Sequence, residues 1–461
     1  MEPIFKLRDV AKAVAGELCC CDEEAIVTSV STDTRTISQG ALFFALKGEN
    51  SDGHIFAQKA IEAGAVACVV CSDATVKADL PVIKVKNTGQ ALLDLAGAYR
   101  REMKIPIVAV TGSVGKTSTR TMIGNVLSQK YNTLMTEGNF NNEIGVPHTL
   151  FRLNSKHQIA VVEMGMSNFG ELSRITAAVL PDTVVITNIG ESHIENLGSR
   201  EGILKAKLES LEGLKEGGTV ILNGDDDMLW SLNGTLDFET LYYGIDNKKS
   251  DVVATRVNAY SDETEFAFSV EEKEYKAKIG VPGRHHVYNG LSSILVGMKY
   301  NVPINDIIAG MREFAPVGLR QAIEKIGDYT VIKDCYNANP TSMKAGLDIL
   351  RLNESGERRV ACLGDMLELG TISEKAHLGI GKVVYEYGID CLITIGERAM
   401  FIADGAVLAG MDKKNVYSFK TKEDAYKNLP KILKEKDVIL LKASRGMRLE
   451  QVAEFMEENM K

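Results

Sequence analysis

The chain has 461 residues, of which 45% are hydrophobic and 25% charged, and a formal net charge of −9. It is too long for one ordinary domain and points to about three, and its acidic balance argues against a nucleic-acid binder, which would carry a basic patch. No apolar run approaches the roughly 18 residues that span a bilayer, and "MEPIFKLRDVAKAVAG" lacks a basic-then-apolar leader, so a cytoplasmic protein without membrane insertion is expected.

That N-terminal stretch reads as a short strand and a helix. After it come an apolar run over 41–46, a polar glycine-containing loop over 47–54, a helical pattern and a second apolar run. Residues 1–85 thus form a small α/β unit whose polar loop is placed to hold a ligand, while 31–35 read on composition as a turn. Among the eight cysteines, Cys68 and Cys71 have C-x-x-C spacing. They sit inside an apolar run, and no second pair at zinc spacing follows, so they are assigned to the core.

A central segment, 86–315, opens with an amphipathic connecting helix over 86–104. The strand 107–110 then enters "TGSVGKTST". A full phosphate loop reads G-x-x-x-x-G-K-[ST], but Val110 stands where the first glycine belongs. The loop is instead T-G-x-x-G-K-T. With a strand before it and a helix after it, Thr111, Gly112, Ser113, Val114, Gly115, Lys116, Thr117 and Ser118 are assigned to phosphate binding. Backbone N–H groups cradle the phosphates, Lys116 reaches the β- and γ-phosphates, and the Thr117 hydroxyl ligates Mg²⁺.

Later apolar runs end in polar groups. "QIAVVEMG" ends at Glu163, "DTVVITNIGESHIE" delivers Asn188, Glu191 and His193, and "GGTVILNGDDD" delivers Asn223 and a run of aspartates. Ligands bind beyond the carboxyl ends of strands in open α/β sheets, so these groups are expected to converge around Lys116. Glu163 is then a natural Mg²⁺ ligand. His193 alone reads equally well as a structural hydrogen-bonder. In "REGILKAKLESLEGL", Lys207 falls on the apolar stripe with Ile203 and Leu211, which by itself describes a lysine with a packed stem and a solvated ammonium. The last segment, 316–461, repeats the α/β alternation through "YTVIKDC", "RRVACLGD", "DCLITIG" and "DVILLKAS".

In this order, "TGSVGKTS", "TEGNFNNEIGVP", "EMGMSNFGEL", "TNIGESHIENLGSREGILKAKLE" and "GRHHVYNGLSS" resemble the Mur ligase family, and the resemblance covers the whole chain. It implies an α/β fold of three domains: a small α/β N-terminal domain (1–85), a central P-loop-type ATPase domain with a mostly parallel sheet (86–315), and a Rossmann-like C-terminal domain (316–461). The first would hold the UDP end of a sugar nucleotide through Ser31, Arg35 and Lys47. The second would bind ATP and two Mg²⁺ ions, with Lys116, His193 and Lys207 as catalytic groups and Asn289 on the adenine. The resemblance makes Lys207 the lysine that takes up CO2, becoming a carbamate and, with Thr117 and Glu163, a metal ligand. The third would close over the nucleotide, with Arg320 near the phosphates and Asn337 and Asn339 placing the acceptor. Many relatives read Gly-Arg after the junction; here the order is Gly318-Leu319-Arg320.

"DCYNANPTSMKAGL" and "LGDMLELG" resemble the member that joins D-alanyl-D-alanine to UDP-N-acetylmuramoyl-tripeptide, and the D-N-P-R element of the diaminopimelate-adding member is absent. The resemblance therefore implies a monomeric ligase of peptidoglycan precursor synthesis that works through an acyl phosphate on small molecules. A folylpoly-γ-glutamate synthetase shares the chemistry but lacks an N-terminal unit of this kind. An NTP-dependent switch would need no UDP-sugar site.

Overall fold

The computed structural model describes residues 5–48 and 51–460, so positions 49 and 50 of the expected ligand loop lie outside the described residues. The chain groups into two compact units: Met1–Thr111 with Tyr131–Val185 and Lys207–Val220, and Gly112–Lys130 with Ile186–Ala206 and Ile221–Lys461.

In the first unit a five-stranded sheet runs in the order Glu17–Cys19, Val82–Val85, Ala65–Cys71, Ala41–Phe44, Ser29–Ser31, parallel except at the Glu17–Cys19 edge. Its central strands are buried, and burial pushes the Cys68 thiol up to about 12, in keeping with a core cysteine. The polar loop is fastened by Asp52 and His54. The Asp52 carboxylate accepts the His54 backbone N–H at 3.0 Å and lies 2.5 Å from His54 Nδ1, while His54 Nε2 accepts the Cys71 N–H at 2.9 Å. The helix Thr88–Glu102 starts where the Asn87 side chain accepts the Gln90 N–H. It is buried round most of its circumference rather than on one face, and it takes Arg100 inside, where the guanidinium donates to the carbonyls of Val179 and Ile105 at 3.0 and 2.9 Å.

Beyond that helix, Ile107–Thr111, Ile159–Glu163 and Thr133–Met135 pair in parallel, with Val110 opposite Glu163. Ile107–Thr111 and Ile159–Glu163 are buried along their whole length, as expected of parallel strands covered on both faces.

In the second unit the helix Lys116–Ser128 packs against His285–Lys299 and Ile304–Arg312. Val252–Ala259, Thr264–Val270 and Lys273–Ile279 form an antiparallel meander joined in parallel to Glu239–Gly244, an addition to the parallel alternation expected of this segment. A six-stranded sheet follows, in the order Ala322–Ile326, Tyr329–Lys333, Asp437–Lys442, Arg358–Gly364, Cys391–Ile395, Val416–Phe419, parallel apart from its first pair. Helices bury one apolar layer around Met343, Leu347 and Ile380, and another around Leu429, Val452 and Met456.

Candidate active site

The phosphate loop begins where the strand Ile107–Thr111 ends. Val110 remains a strand residue, with its carbonyl accepting the Met164 N–H at 2.8 Å. Gly112 comes next at φ +145°, and a Cβ there would lie 1.9 Å from Thr187 Oγ1. No other residue fits. Gly115, at φ +86°, opens the helix Lys116–Ser128.

The "TNIGES" stretch shapes this loop. Asn188 accepts the Ser113 N–H on its carbonyl at 3.1 Å and the Val114 N–H on Oδ1 at 2.9 Å. Thr187 Oγ1 and Asn188 Nδ2 both donate to the Val114 carbonyl, at 2.6 and 2.9 Å. The Ser113 hydroxyl accepts the Gly190 N–H at 3.0 Å. Lys116 folds back so that Nζ donates to the Gly112 carbonyl at 2.8 Å. Asn188 therefore meets the loop as expected.

The aspartates of "NGDDD" do not. Asp225 accepts three backbone N–H groups of residues 245–247 and the Tyr288 hydroxyl, Asp226 accepts the Leu229 and Ile189 N–H groups, and Asp227 pairs with Arg200. These carboxylates close loops and cap a helix.

Asn289 lies against the start of the phosphate-loop helix. Its Oδ1 accepts the Thr119 hydroxyl at 2.9 Å and would be 3.4 Å from a Cβ on Gly115. Its Nδ2 faces His286 Nδ1 at 3.3 Å, and His286 Nε2 meets Gln321 Oε1 at 2.9 Å. Burial holds His286 well below the usual histidine range and lowers His285 too, which favours the neutral form of both rings.

His193 takes a left-handed conformation, φ 62°, at the start of Ile194–Leu197. Its Nδ1 lies 2.7 Å from the Glu368 carboxylate, an ion-pair distance, though not along the N–H direction. The ring holds the Glu368 carboxyl below the usual range. Residues 334–339, expected to place the acceptor, are fixed from within. Lys442 Nζ donates to Asp334 Oδ2 at 2.6 Å and to the Asn337 carbonyl at 3.1 Å. Asn337 Oδ1 accepts the Ala338 N–H, and Asn339 Oδ1 caps the helix Pro340–Leu352 at the Ser342 N–H, both at 2.8 Å. The Arg320 guanidinium stacks 3.6 Å from the centre of the Tyr336 ring, which ties the shifted arginine to the same loop.

In the first unit, Glu163 is fully buried. Its Oε1 accepts from Asn141 Nδ2 at 2.7 Å and its N–H donates to Thr136 Oγ1 at 3.0 Å. Lys207 is only 2% exposed, a buried side chain rather than the largely solvated one that its place on the apolar stripe suggests by itself. Ser31 Oγ donates to the Asp33 carbonyl at 2.9 Å, Arg35 pairs with Asp33 at 2.6 Å, and Lys47 is exposed beside its backbone partner Asp52. Lys442, Ser192 and Asn141 were not singled out from sequence. Lys442 carried a signal, since it ends an apolar run in "LLKAS".

A glycine-shaped phosphate loop on buried parallel strands, followed by a separate α/β sheet, defines a phosphate-loop nucleotide-dependent protein. Its segments match three family descriptions: "Mur ligase family, catalytic domain" over 26–100, "Mur ligase middle domain" over 110–297, and "Mur ligase, glutamate ligase domain" over 320–445. The chain belongs to the Mur ligase family, and the expected family and α/β class are borne out. It is 38% identical over 458 residues to the UDP-N-acetylmuramoyl-tripeptide–D-alanyl-D-alanine ligase of Bacillus subtilis, covering 98% of each chain. The Escherichia coli ligase of the same name is 34% identical, again with 98% of each covered. Among solved structures, MurF from Acinetobacter baumannii superposes with a TM-score of 0.91 at 27% identity, covering 98% of this chain and 99% of that one. MurF from Thermotoga maritima in complex with ADP gives 0.81 at 27% identity, covering 93% and 97%.

Proposed function

We propose that this protein joins D-alanyl-D-alanine to UDP-N-acetylmuramoyl-tripeptide, consuming ATP and releasing ADP and phosphate, in cytoplasmic peptidoglycan precursor synthesis. The observation that carries this reading is the Thr111–Thr117 loop, shaped by Asn188 and Thr187, in a chain alike over its whole length to ligases of that name. In this reading residues 1–85 hold the UDP end through Ser31, Arg35 and Lys47, residues 86–315 hold ATP, and residues 316–461 supply Arg320 and the acceptor loop. The protein acts as a monomer, and its eight free cysteines suit a reducing compartment.

The tripeptide's terminal carboxylate attacks the γ-phosphorus of ATP, forming an acyl phosphate and expelling ADP. The unprotonated amine of the dipeptide then attacks the acyl carbon, an amide forms, the amine's proton is lost and inorganic phosphate leaves. Lys116 and the loop N–H groups offset charge on the transferring phosphoryl group. Asn289 holds the adenine. His193, engaged with Glu368, works on the phosphate side.

Mg²⁺ is commonly held by one or two carboxylates together with substrate phosphates and water. The Thr117 hydroxyl and the buried Glu163 carboxylate are donors of that kind, and among the described residues no cluster of three or more His, Cys, Asp or Glu forms a self-sufficient cage. When bound, Mg²⁺ supplies charge compensation between carboxylate and triphosphate. Loss of a proton from the Lys207 ammonium, attack of the resulting neutral amine on CO2 and loss of a second proton would convert a buried cation into an anion with two oxygen acceptors, a third ligand of the same type.

The test is phosphate release from ATP and Mg²⁺ with UDP-N-acetylmuramoyl-tripeptide, in the presence of D-alanyl-D-alanine or single amino acids. Release that needs both substrates, with the matching product mass, supports the reading. Release indifferent to the dipeptide overturns it.

A further inference from the structure

Residues 191–195 carry bonds beyond those already described around the phosphate loop. The Ser192 hydroxyl donates to the Ser113 carbonyl at 3.3 Å and accepts from Asn339 Nδ2 at 2.5 Å. A serine hydroxyl has one proton and two lone pairs, so both bonds are made at once. The Asn339 amide cannot turn over, because its Oδ1 is committed to the Ser342 N–H as the cap of Pro340–Leu352. Two hydrogen bonds therefore lead from the backbone of the phosphate loop to the end of the loop that is to receive the dipeptide. Lys442 holds that same loop from the other side.

Neighbouring contacts make the link separable from docking. His193 meets Glu368, the Glu195 N–H donates to the Glu368 carbonyl at 3.2 Å, and Thr341 Oγ1 reaches Glu191 at 3.5 Å. Loss of the Ser192 hydroxyl leaves these in place and frees only the cap from the phosphate loop.

We infer that Ser192 is a positioning residue that couples the phosphate loop to the acceptor loop, so that the dipeptide's amine is aligned on the acyl phosphate made beside Ser113. This rests on the ligase reading above. Without the coupling, the acyl phosphate still forms but meets a poorly placed amine, and water competes for it.

The experiment compares Ser192→Ala, Ser192→Thr, Asn339→Asp and the Ser192→Ala/Asn339→Asp double variant with wild type, measuring KM for each substrate and phosphate released per amide formed. Asn339→Asp keeps a good helix cap but removes the amide donor, and the single Ser192 proton cannot serve both an aspartate and the Ser113 carbonyl. Ser192→Ala should raise the dipeptide KM about 5- to 10-fold, the size of one lost neutral hydrogen bond, and should leave the KM for ATP and for the UDP-tripeptide within about twofold. Phosphate release should exceed amide formation. Ser192→Thr should restore both values, and the double variant should be no worse than the poorer single.

Equal shifts in all three KM values, an unchanged coupling ratio, or additive effects in the double variant would each overturn the inference. Should Ser192→Ala fail to fold, Ser192→Gly, which also removes the hydroxyl, decides by the same KM split. Wild-type phosphate release that ignores the dipeptide brings down the ligase reading and this inference together; dipeptide-dependent wild type with unaffected variants brings down this inference only.

Discussion

Lys442 Nζ lies 2.6 Å from Asp334 Oδ2, with Lys442 2% and Asp334 6% exposed. A buried pair of this kind adds little net stability over apolar residues, but removing one partner strands the other charge, at a cost of about 3–5 kcal/mol. Lys442→Met should therefore lower the unfolding free energy by about that much, measured by urea titration. Lys442→Met with Asp334→Leu should cost less than Lys442→Met alone. The reverse order would mean that the ion pair is not what holds residues 334–339.

Lys116→Ala removes the cation that folds over the phosphate loop. Turnover should fall by at least about 10²- to 10³-fold, the loss seen when one preorganised group is removed from a developing charge. Binding of the UDP-tripeptide, followed by calorimetry, should stay near wild type. Comparable turnover in the variant would remove the loop from the chemistry.

His285 and His286 give stability a definite pH dependence. Burial depresses both pKa values below 6.5, so in weakly acidic solution the unfolded chain binds protons that the folded chain refuses. Stability is then complete above the unfolded pKa and declines as pH falls below it, by up to about 1.4 kcal/mol per pH unit for each fully shifted ring. His286→Asn should flatten the profile between pH 7 and about 5, whatever its effect on absolute stability. Parallel profiles for wild type and variant would refute the assignment.

If buried Lys207 is a carbamate, activity should fall in buffer stripped of CO2 and return with bicarbonate. Lys207→Arg, which keeps the positive charge, should be inactive under both conditions. A ¹³C signal from labelled bicarbonate, present in wild type and absent in the variant, would identify the modified group. Insensitivity of wild type to CO2 would leave the lysine as a cation.

The phosphate loop was legible because its glycines answer to backbone geometry, and the family of motifs was legible through order and spacing. The aspartates after Asn223 were misplaced because strand-end position says where a residue lies, not which N–H groups it must satisfy. The meander Val252–Ala259, Thr264–Val270, Lys273–Ile279 was invisible for a different reason. Val270 pairs with Lys273 across a two-residue loop, Glu271–Glu272, with both φ values positive at 49° and 65°. Such turns normally announce themselves as Asn-Gly or Asp-Gly, whereas here cross-strand pairing overrides local preference. The Asn339–Ser192 bond spans 147 positions, and no local pattern encodes it.

That turn is itself testable. Glu271→Asn with Glu272→Gly supplies residues suited to positive φ and should stabilise the protein by about 0.5–2 kcal/mol, read as a rise in thermal midpoint with unchanged turnover. A lower midpoint would mean that the glutamates make contacts worth more than the strain they carry.

Val110 and Gly112 stand two positions apart and should answer mutation in opposite ways. Position 110 is a strand site whose side chain needs only to be apolar and of similar bulk, so isoleucine or leucine should pass at modest cost. Position 112 has Thr187 Oγ1 1.9 Å from where a Cβ would sit, so even alanine should fail. In a saturation library selected for growth on the enzyme, the first position would read as permissive and the second as blank. Sequence searches keyed to a glycine at 110 would pass over this chain, while the intolerant Gly112 marks the loop's true start.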